Sequence, residues 1–263
     1  VSARKLSSIS DKSGLNLGQK VAEVLAQDLL NGVYPAGTML PKETQIAQQM
    51  SLSRASVASG LLILTSLGMI SRQAGRGTVV EETHEWKLLD PLLSRWIVEY
   101  GDPHQQLFKE IVDYRYGIEP YVSALAATRA NAQDLAAIEA AYNQMCAGVK
   151  NEDQDALINA DIEFHAAIYR ATHNLIWSQS ISVLQPAIRL MIRETNESAD
   201  ELNDSLQRHF KVLENIRLRK PAETFDAAIN VLNRSAHDLG ITRSAQSQDL
   251  LSMMKGKMLG PSN

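Results

Sequence analysis

Residues 51–80 read SLSRASVASGLLILTSLGMISRQAGRGTVV. Ser53 stands where a helix N-cap belongs, because its hydroxyl can accept from a backbone N–H one turn on. From Ala55 to Leu67 apolar residues recur at helical spacing, and Gly68 is the glycine that commonly stops a helix. "MISRQAGRGTVV" then offers two short extended pieces around a Gly-Arg-Gly turn, the composition of a hairpin.

Working upstream, Lys42–Met50 reads as a short helix beginning after Pro41. Gly18–Leu30 reads as another, with a stripe of Val21, Val24, Leu25, Leu29 and Leu30 closed by "NGVYPAGT". Helix, helix, helix and hairpin within some 65 residues is the layout of a winged helix-turn-helix. Its third helix would enter a major groove with Ser53, Arg54, Ser56 and Val57 nearest the bases. Arg54 can contact guanine through two hydrogen bonds, and the serines can reach phosphates or base edges. Arg72, Arg76 and Gly77 would form the wing. Two helices and a hairpin can also be mere scaffold.

Downstream of Glu81 glycine and proline thin out, and the 3.6-residue period dominates. Helices are expected over about 88–100, 104–129, 132–148, 152–172, 175–196, 203–219 and 222–239, with Pro186 kinking the fifth. The fold class is therefore mainly α: a winged helix-turn-helix plus an antiparallel bundle of six or seven helices. The expected boundaries are a flexible arm at 1–16, the DNA-binding domain at 17–82, the helical domain at 83–240 and a tail at 241–263. Trp86 and Trp96 are expected to pack the join between the domains.

Charge follows the same division. Residues 1–80 hold 8 Lys or Arg against 4 Asp or Glu, while the rest hold 18 against 26, within an overall charge of −4. A basic start and an acidic remainder suggest that only the first part approaches a polyanion. One cysteine, Cys146, excludes an internal disulfide framework and a thiolate-rich zinc site. No run is long enough to cross a membrane, and "VSARKLSSIS" lacks the apolar run of a secretion signal, so a cytoplasmic location is expected.

In "ADIEFHAAI" (160–168), Asp161 and His165 are four residues apart and share a helix face. Such a couple is half of a metal site, half of an acid–base pair, or a structural hydrogen bond; spacing alone leaves all three open.

Residues 40–80, from "LPKETQIAQQM" through "GRGTVV", resemble the winged helix-turn-helix of GntR-type bacterial transcription regulators. The likeness lies in Leu40-Pro41 with Glu43, Ile46-Ala47, Ser53-Arg54, Val57, Leu61, Leu64, Gly68 and the Gly75–Thr78 wing. "YRYGIEPYVSALAA" (114–127), "ADIEFHAAIYRATHN" (160–174) and "RHFKVLENI" (208–216) resemble the FadR-type helical ligand-binding domain, called FCD. "EWKLLDPLLSRWI" (85–97) is most similar to regulators of sugar-acid operons. The resemblance implies a homodimeric repressor on double-stranded operator DNA, answering to a small carboxylate effector.

It also implies that Asp161, His165 and His209 hold a divalent metal such as Zn²⁺, Ni²⁺ or Mn²⁺. The family's last histidine is missing near Val231–Arg234, so His237, about one turn beyond Arg234, or water is expected to complete the set; otherwise Arg234 faces the anion, or no metal binds. Arg115 is expected to clamp the effector's carboxylate unless it merely pairs with Glu119, and Arg189 and Arg193 are weaker effector candidates. Thr44 and Ala58 replace two arginines usual in the family, which predicts an altered operator with Lys42, Ser56 and Ser59 compensating. Two rivals stand beside this reading: a helical metalloenzyme acting on a small carboxylate, and a nucleic-acid-binding protein whose helical domain only dimerises it.

Overall fold

The computed structural model describes residues 16–73, 77–88, 90–101, 105–194, 199–242, 252–253 and 255–257. The expected 1–16 arm, apart from Asn16, and most of the 241–263 tail lie outside those residues; within the tail, Lys255 donates to Asp226 at 2.6 Å. The chain divides into two compact units, residues 1–103 and 104–263.

In the first unit, helix α1 spans Leu17–Leu30, α2 Glu43–Met50 and α3 Arg54–Ser66. Each start has a local cause. Asn16 and Gln19 cap α1 reciprocally, the Lys42 N–H donates to Gln45 Oε1 at 2.9 Å ahead of α2, and Ser53 Oγ accepts from the Ser56 N–H at 3.1 Å. α1 and α3 approach so closely that a Cβ on Gly60 would lie 2.6 Å from Val21. Gly68 ends the α3 segment with φ +74°, and a Cβ there would come 2.4 Å from the Glu85 carbonyl oxygen.

Strands β1 (Ile70–Gln73) and β2 (Gly77–Val80) pair antiparallel with Ile70 opposite Val80 and Gln73 opposite Gly77. Met39 bridges to Val79, tying the segment before α2 to the wing. A 3-10 turn (Thr83–Glu85) leads to α4 (Pro91–Tyr100), where Asp90 caps and Pro91 takes the first helical position.

α4 packs on this unit: Leu93 and Trp96 join the core of Val21, Leu25, Ile46, Leu61 and Leu64, and Tyr100 donates to Glu23 at 2.7 Å. The division by contacts therefore falls after residue 103, whereas sequence texture alone suggests 82/83. Both tryptophans that were expected at a join pack into this core, Trp86 donating to the Glu81 carbonyl at 3.0 Å.

The second unit holds α5 (Gln105–Arg129), α6 (Ala132–Lys150), α7 (Gln154–Arg170), α8 (Leu175–Glu194), α9 (Ala199–Arg217) and α10 (Pro221–Asp238). α8 is continuous across Pro186. Small side chains let these helices approach closely: Ala126, Ala127, Ala141, Ala160, Ala167 and Ala227 pack with Phe164, Leu213 and Ile216. Arg219 donates to the carbonyl oxygens of Ala127 and Ala130, satisfying acceptors at the end of α5.

Candidate functional site

α7 is buried along most of its length, and Asp161 and His165, buried with it, share one side. Asp161 and His165 are buried one turn apart, and α9 brings buried His209 against them. One ligand atom from each of the three lies within 4.8 Å of the others. His209 Nε2 is 3.1 Å from Asp161 Oδ1, and His165 Nε2 is 3.9 Å from Asp161 Oδ2. With its ring neutral, His209 Nε2 is a buried nitrogen without a hydrogen-bond partner among the described residues.

The outer ring nitrogens explain how this geometry is held. His209 Nδ1 lies 2.8 Å from the Ser205 carbonyl oxygen, which can only accept, so Nδ1 carries the proton and Nε2 is left as the inward atom. His165 Nδ1 lies 3.2 Å from Glu119 Oε2. Glu119 in turn pairs with Arg115 one turn earlier on α5, its Oε2 accepting from Nη2 at 3.3 Å and its Oε1 from Nε, and both side chains are only 3% exposed. A carboxylate behind a candidate ligand imidazole is the usual means of orienting the ring and raising its basicity. The sequence reading treated Glu119 only as a partner for Arg115 and missed this contact.

Electrostatics point the same way. Burial alone would raise the Glu119 carboxyl, but Arg115 and then His165 hold it down to about 2. Burial likewise opposes ionisation of Asp161, yet His209, His165 and Arg115 lower it below its ordinary value. His209 is pushed down by burial and pulled up further by Asp161 and the Ser205 carbonyl, with a net rise. The cluster therefore favours the charged forms of both Asp161 and His209. One carboxylate and two imidazoles form a donor set suited to Zn²⁺, Ni²⁺ or Mn²⁺, so the residues fit a divalent metal.

Beside the triad opens a cavity of about 60 Å³. Arg115, Ser205, Ser235 and Asp238 supply its other polar lining, and Met145, Leu157 and Val231 are among its apolar walls. Ser205, Ser235 and Asp238 were missed by the sequence reading, since an isolated serine or aspartate on a helix carries no signal until its neighbours are known.

Two expected residues do not join. Val231, Ser235 and Asp238 share a face of α10, but His237 is six residues from Val231, about 120° round the helix. Its side chain is 82% exposed and lies 3.4 Å from Asp238 Oδ1, so it is not brought to the triad. Arg234 does not line the cavity; its guanidinium is taken up by Asp238 at 2.7 Å and Glu201 at 2.9 Å. Arg189 donates to Asn159 Oδ1 at 2.7 Å and is likewise absent from the cavity lining. The Arg193 side chain lies outside the described residues.

In the first unit, a groove between α2, the wing and the start of α3 is lined by Lys42, Thr44, Arg54, Arg72 and Gly77. Arg54 is exposed and has no ion-pair partner among the described residues, whereas Arg72 is paired with Glu43 at 2.6 Å. The hydroxyls of Ser53 and Ser56 lie 2.9 Å apart at the helix start. Val57, expected near the bases, is instead wholly buried in the core. Gly77 takes φ +100° at the wing, and Arg76 lies outside the described residues.

A winged helix-turn-helix followed in one chain by an all-helical domain is the architecture of a DNA-binding transcription regulator. The family described as bacterial regulatory proteins, gntR family, matches residues 17–80, and the FCD domain family matches residues 110–234. The chain belongs to the GntR family, in the group whose second domain is FCD. It is similar to the galactonate operon transcriptional repressor of Escherichia coli (strain K12), 28% identical over 227 residues, which cover 86% of this chain and 97% of that one. The uncharacterized HTH-type transcriptional regulator YieP of the same organism is 32% identical over 164 residues, 60% of this chain and 69% of that one. The solved structure of E. coli McbR/YncC shares the fold, with a TM-score of 0.51 and 20% identity over 86% of this chain and 98% of that one. The names of the first two relatives describe transcription regulators, in line with the family match and against the metalloenzyme reading.

Proposed function

We propose that this chain is a homodimeric repressor that binds a palindromic operator in the cytoplasm and leaves it when a small carboxylate of the sugar-acid class enters the helical domain. Asp161, His165 and His209 would hold a divalent metal, which supplies a Lewis-acidic anchor for the acid's oxygens. Arg115, paired with Glu119, lines the same cavity and would meet the acid's carboxylate. Arg54 would read a guanine, with Ser53, Ser56, Arg72, Arg76 and Gly77 contacting the backbone or adjacent bases. With threonine at 44 and alanine at 58, Lys42 and Ser59 carry part of the phosphate contact.

The observation that carries this reading is His209 Nε2, a buried ring nitrogen that, with Nδ1 protonated, has no hydrogen-bond partner among the described residues and lies beside Asp161 and His165. The sugar-acid class is supported by the similarity to the galactonate operon repressor and by Ser205 and Ser235 in the cavity lining. Shifting a population from almost all bound to almost all released requires roughly 10⁴-fold discrimination between the two states.

The test is fluorescence anisotropy on a duplex selected from a random library. Sugar acids should release the duplex from metal-loaded protein, and a chelator or Asp161→Ala should abolish the release. Release that persists with chelator and in the variant would contradict the proposal, as would operator binding indifferent to every acid.

A further inference from the structure

The groove of the first unit carries one charge of the wrong sign for a polyanion. Of the charged side chains that line it, Lys42, Arg54 and Arg72 are cationic, and Glu43 alone among the described residues is acidic. A carboxylate facing phosphates lowers affinity for any duplex, whatever its sequence. The fold nevertheless fixes Glu43 there. It opens α2 directly after Lys42, whose N–H is capped by Gln45. Leu40, three residues earlier, donates its N–H to the Thr78 carbonyl at 2.9 Å, which lays the approach to α2 against β2.

Arg72 meets it from the far strand of the wing. Arg72 stands opposite Thr78 in the hairpin register, and directly opposed side chains share one face of a sheet. Both line the groove. The Arg72 side chain reaches over β2, and its Nη2 donates to Glu43 Oε1 at 2.6 Å. It remains 57% exposed. A guanidinium has five N–H donors in a planar fork, and this contact occupies one of them, so the rest is held out over the groove. An exposed ion pair adds little to stability, and the consequence of this one lies in binding.

We infer that Glu43 is a specificity-determining residue: it withholds the Arg72 cation from loose contact with duplex DNA of any sequence and presents it only in the register of the operator. The inference rests on the proposed operator binding. In a loose complex affinity comes from cations that displace condensed counterions, and an arginine neutralised by its own carboxylate adds almost none. In the docked complex the free edge of the guanidinium meets a phosphate at a fixed place, and a side chain already held there loses less freedom on binding. Subtracting from the first affinity and not from the second widens the ratio between operator and other sequences.

Fluorescence anisotropy of the full chain on two labelled duplexes tests this, one selected from a random library and one with the same bases scrambled. Glu43→Gln keeps the side-chain length and removes the charge. It should bind the scrambled duplex about 5- to 10-fold more tightly, with a salt slope steeper by about one, while affinity for the selected duplex changes less than about twofold. With Arg72→Ala already in place, Glu43→Gln should change both affinities by the same factor, because no held cation remains to be freed. Should Glu43→Gln fail to fold, Arg72→Lys carries the test: it keeps the charge but loses the fork, and should weaken the selected duplex while leaving the scrambled one unchanged. An unchanged ratio between the two duplexes in Glu43→Gln or Arg72→Lys would overturn the inference. So would a lower unfolding midpoint with both duplexes weakened alike, the mark of a pair that only ties the wing to α2. Wild-type protein that binds the two duplexes equally would overturn the operator reading itself, and this inference with it.

Discussion

Replacing Arg115 by methionine keeps much of the side-chain volume and removes the cation facing Glu119, where both partners are only 3% exposed. Two routes give the size of the effect. Breaking a buried pair by deleting one member costs about 3–5 kcal/mol, because the other charge is left without compensation. Separately, Glu119 is held at about 2 against an ordinary value of 4.5, and at 1.36 kcal/mol per unit that corresponds to about 3 kcal/mol, Arg115 being the larger favourable cause and His165 the next. Urea unfolding of metal-free protein at pH 7 should therefore show Arg115→Met less stable by about 3 kcal/mol. The double variant Arg115→Met/Glu119→Gln should recover part of the loss. The sign with pH follows from a folded value below the unfolded one: the contribution is complete above about pH 4.5 and disappears as pH falls toward 2. The gap between wild type and Arg115→Met should narrow over that range. A loss under about 1 kcal/mol at pH 7, or a gap that widens on acidification, would refute the reasoning.

Three further outcomes are expected. Ser53→Ala removes the hydroxyl that accepts from the Ser56 N–H, and should cost about 1 kcal/mol in thermal or urea unfolding of the first unit. Gly68→Ala meets both a φ of +74° and the Glu85 carbonyl, so a loss of more than about 1 kcal/mol is expected by the same measurement. Arg54→Ala should weaken binding to the selected operator by about 1–3 kcal/mol, relax the preference at one base pair and lower the salt slope by about one; an unchanged preference would remove Arg54 from base recognition.

The helices were legible because their causes are local. Ser53, Gly68, Pro91 and the 3.6-residue stripes act within a turn or two, and each element lies within a few residues of its expectation. The partner of an element is set by distant residues. α4 reads as one more helix of the acidic part, yet Leu93 and Trp96 fit the core beneath α1.

At the site, Asp161 and His165 were visible through their spacing, and His209 through family resemblance. Choosing among the residues of α10 required the helix phase relative to α9. His237 was a reasonable substitute for a missing histidine until its rotation away from Val231 was known, and Arg234 looked like an anion clamp until Glu201 and Asp238 were found around it. Glu119 and Asp238 gain their meaning from helices far away in sequence, and no local pattern announces them.

Central to the account is the convergence of Asp161, His165 and His209 on one cation. Elemental analysis of the purified full chain, dialysed against a weak chelator, tests it most directly when run beside Asp161→Ala and His209→Ala proteins whose folding is verified by circular dichroism. The account predicts close to one equivalent of a divalent transition metal per wild-type chain and almost none in either folded variant. Equal metal content in all three, or wild-type protein that retains none and takes up none from added Zn²⁺, Ni²⁺ or Mn²⁺, would contradict it.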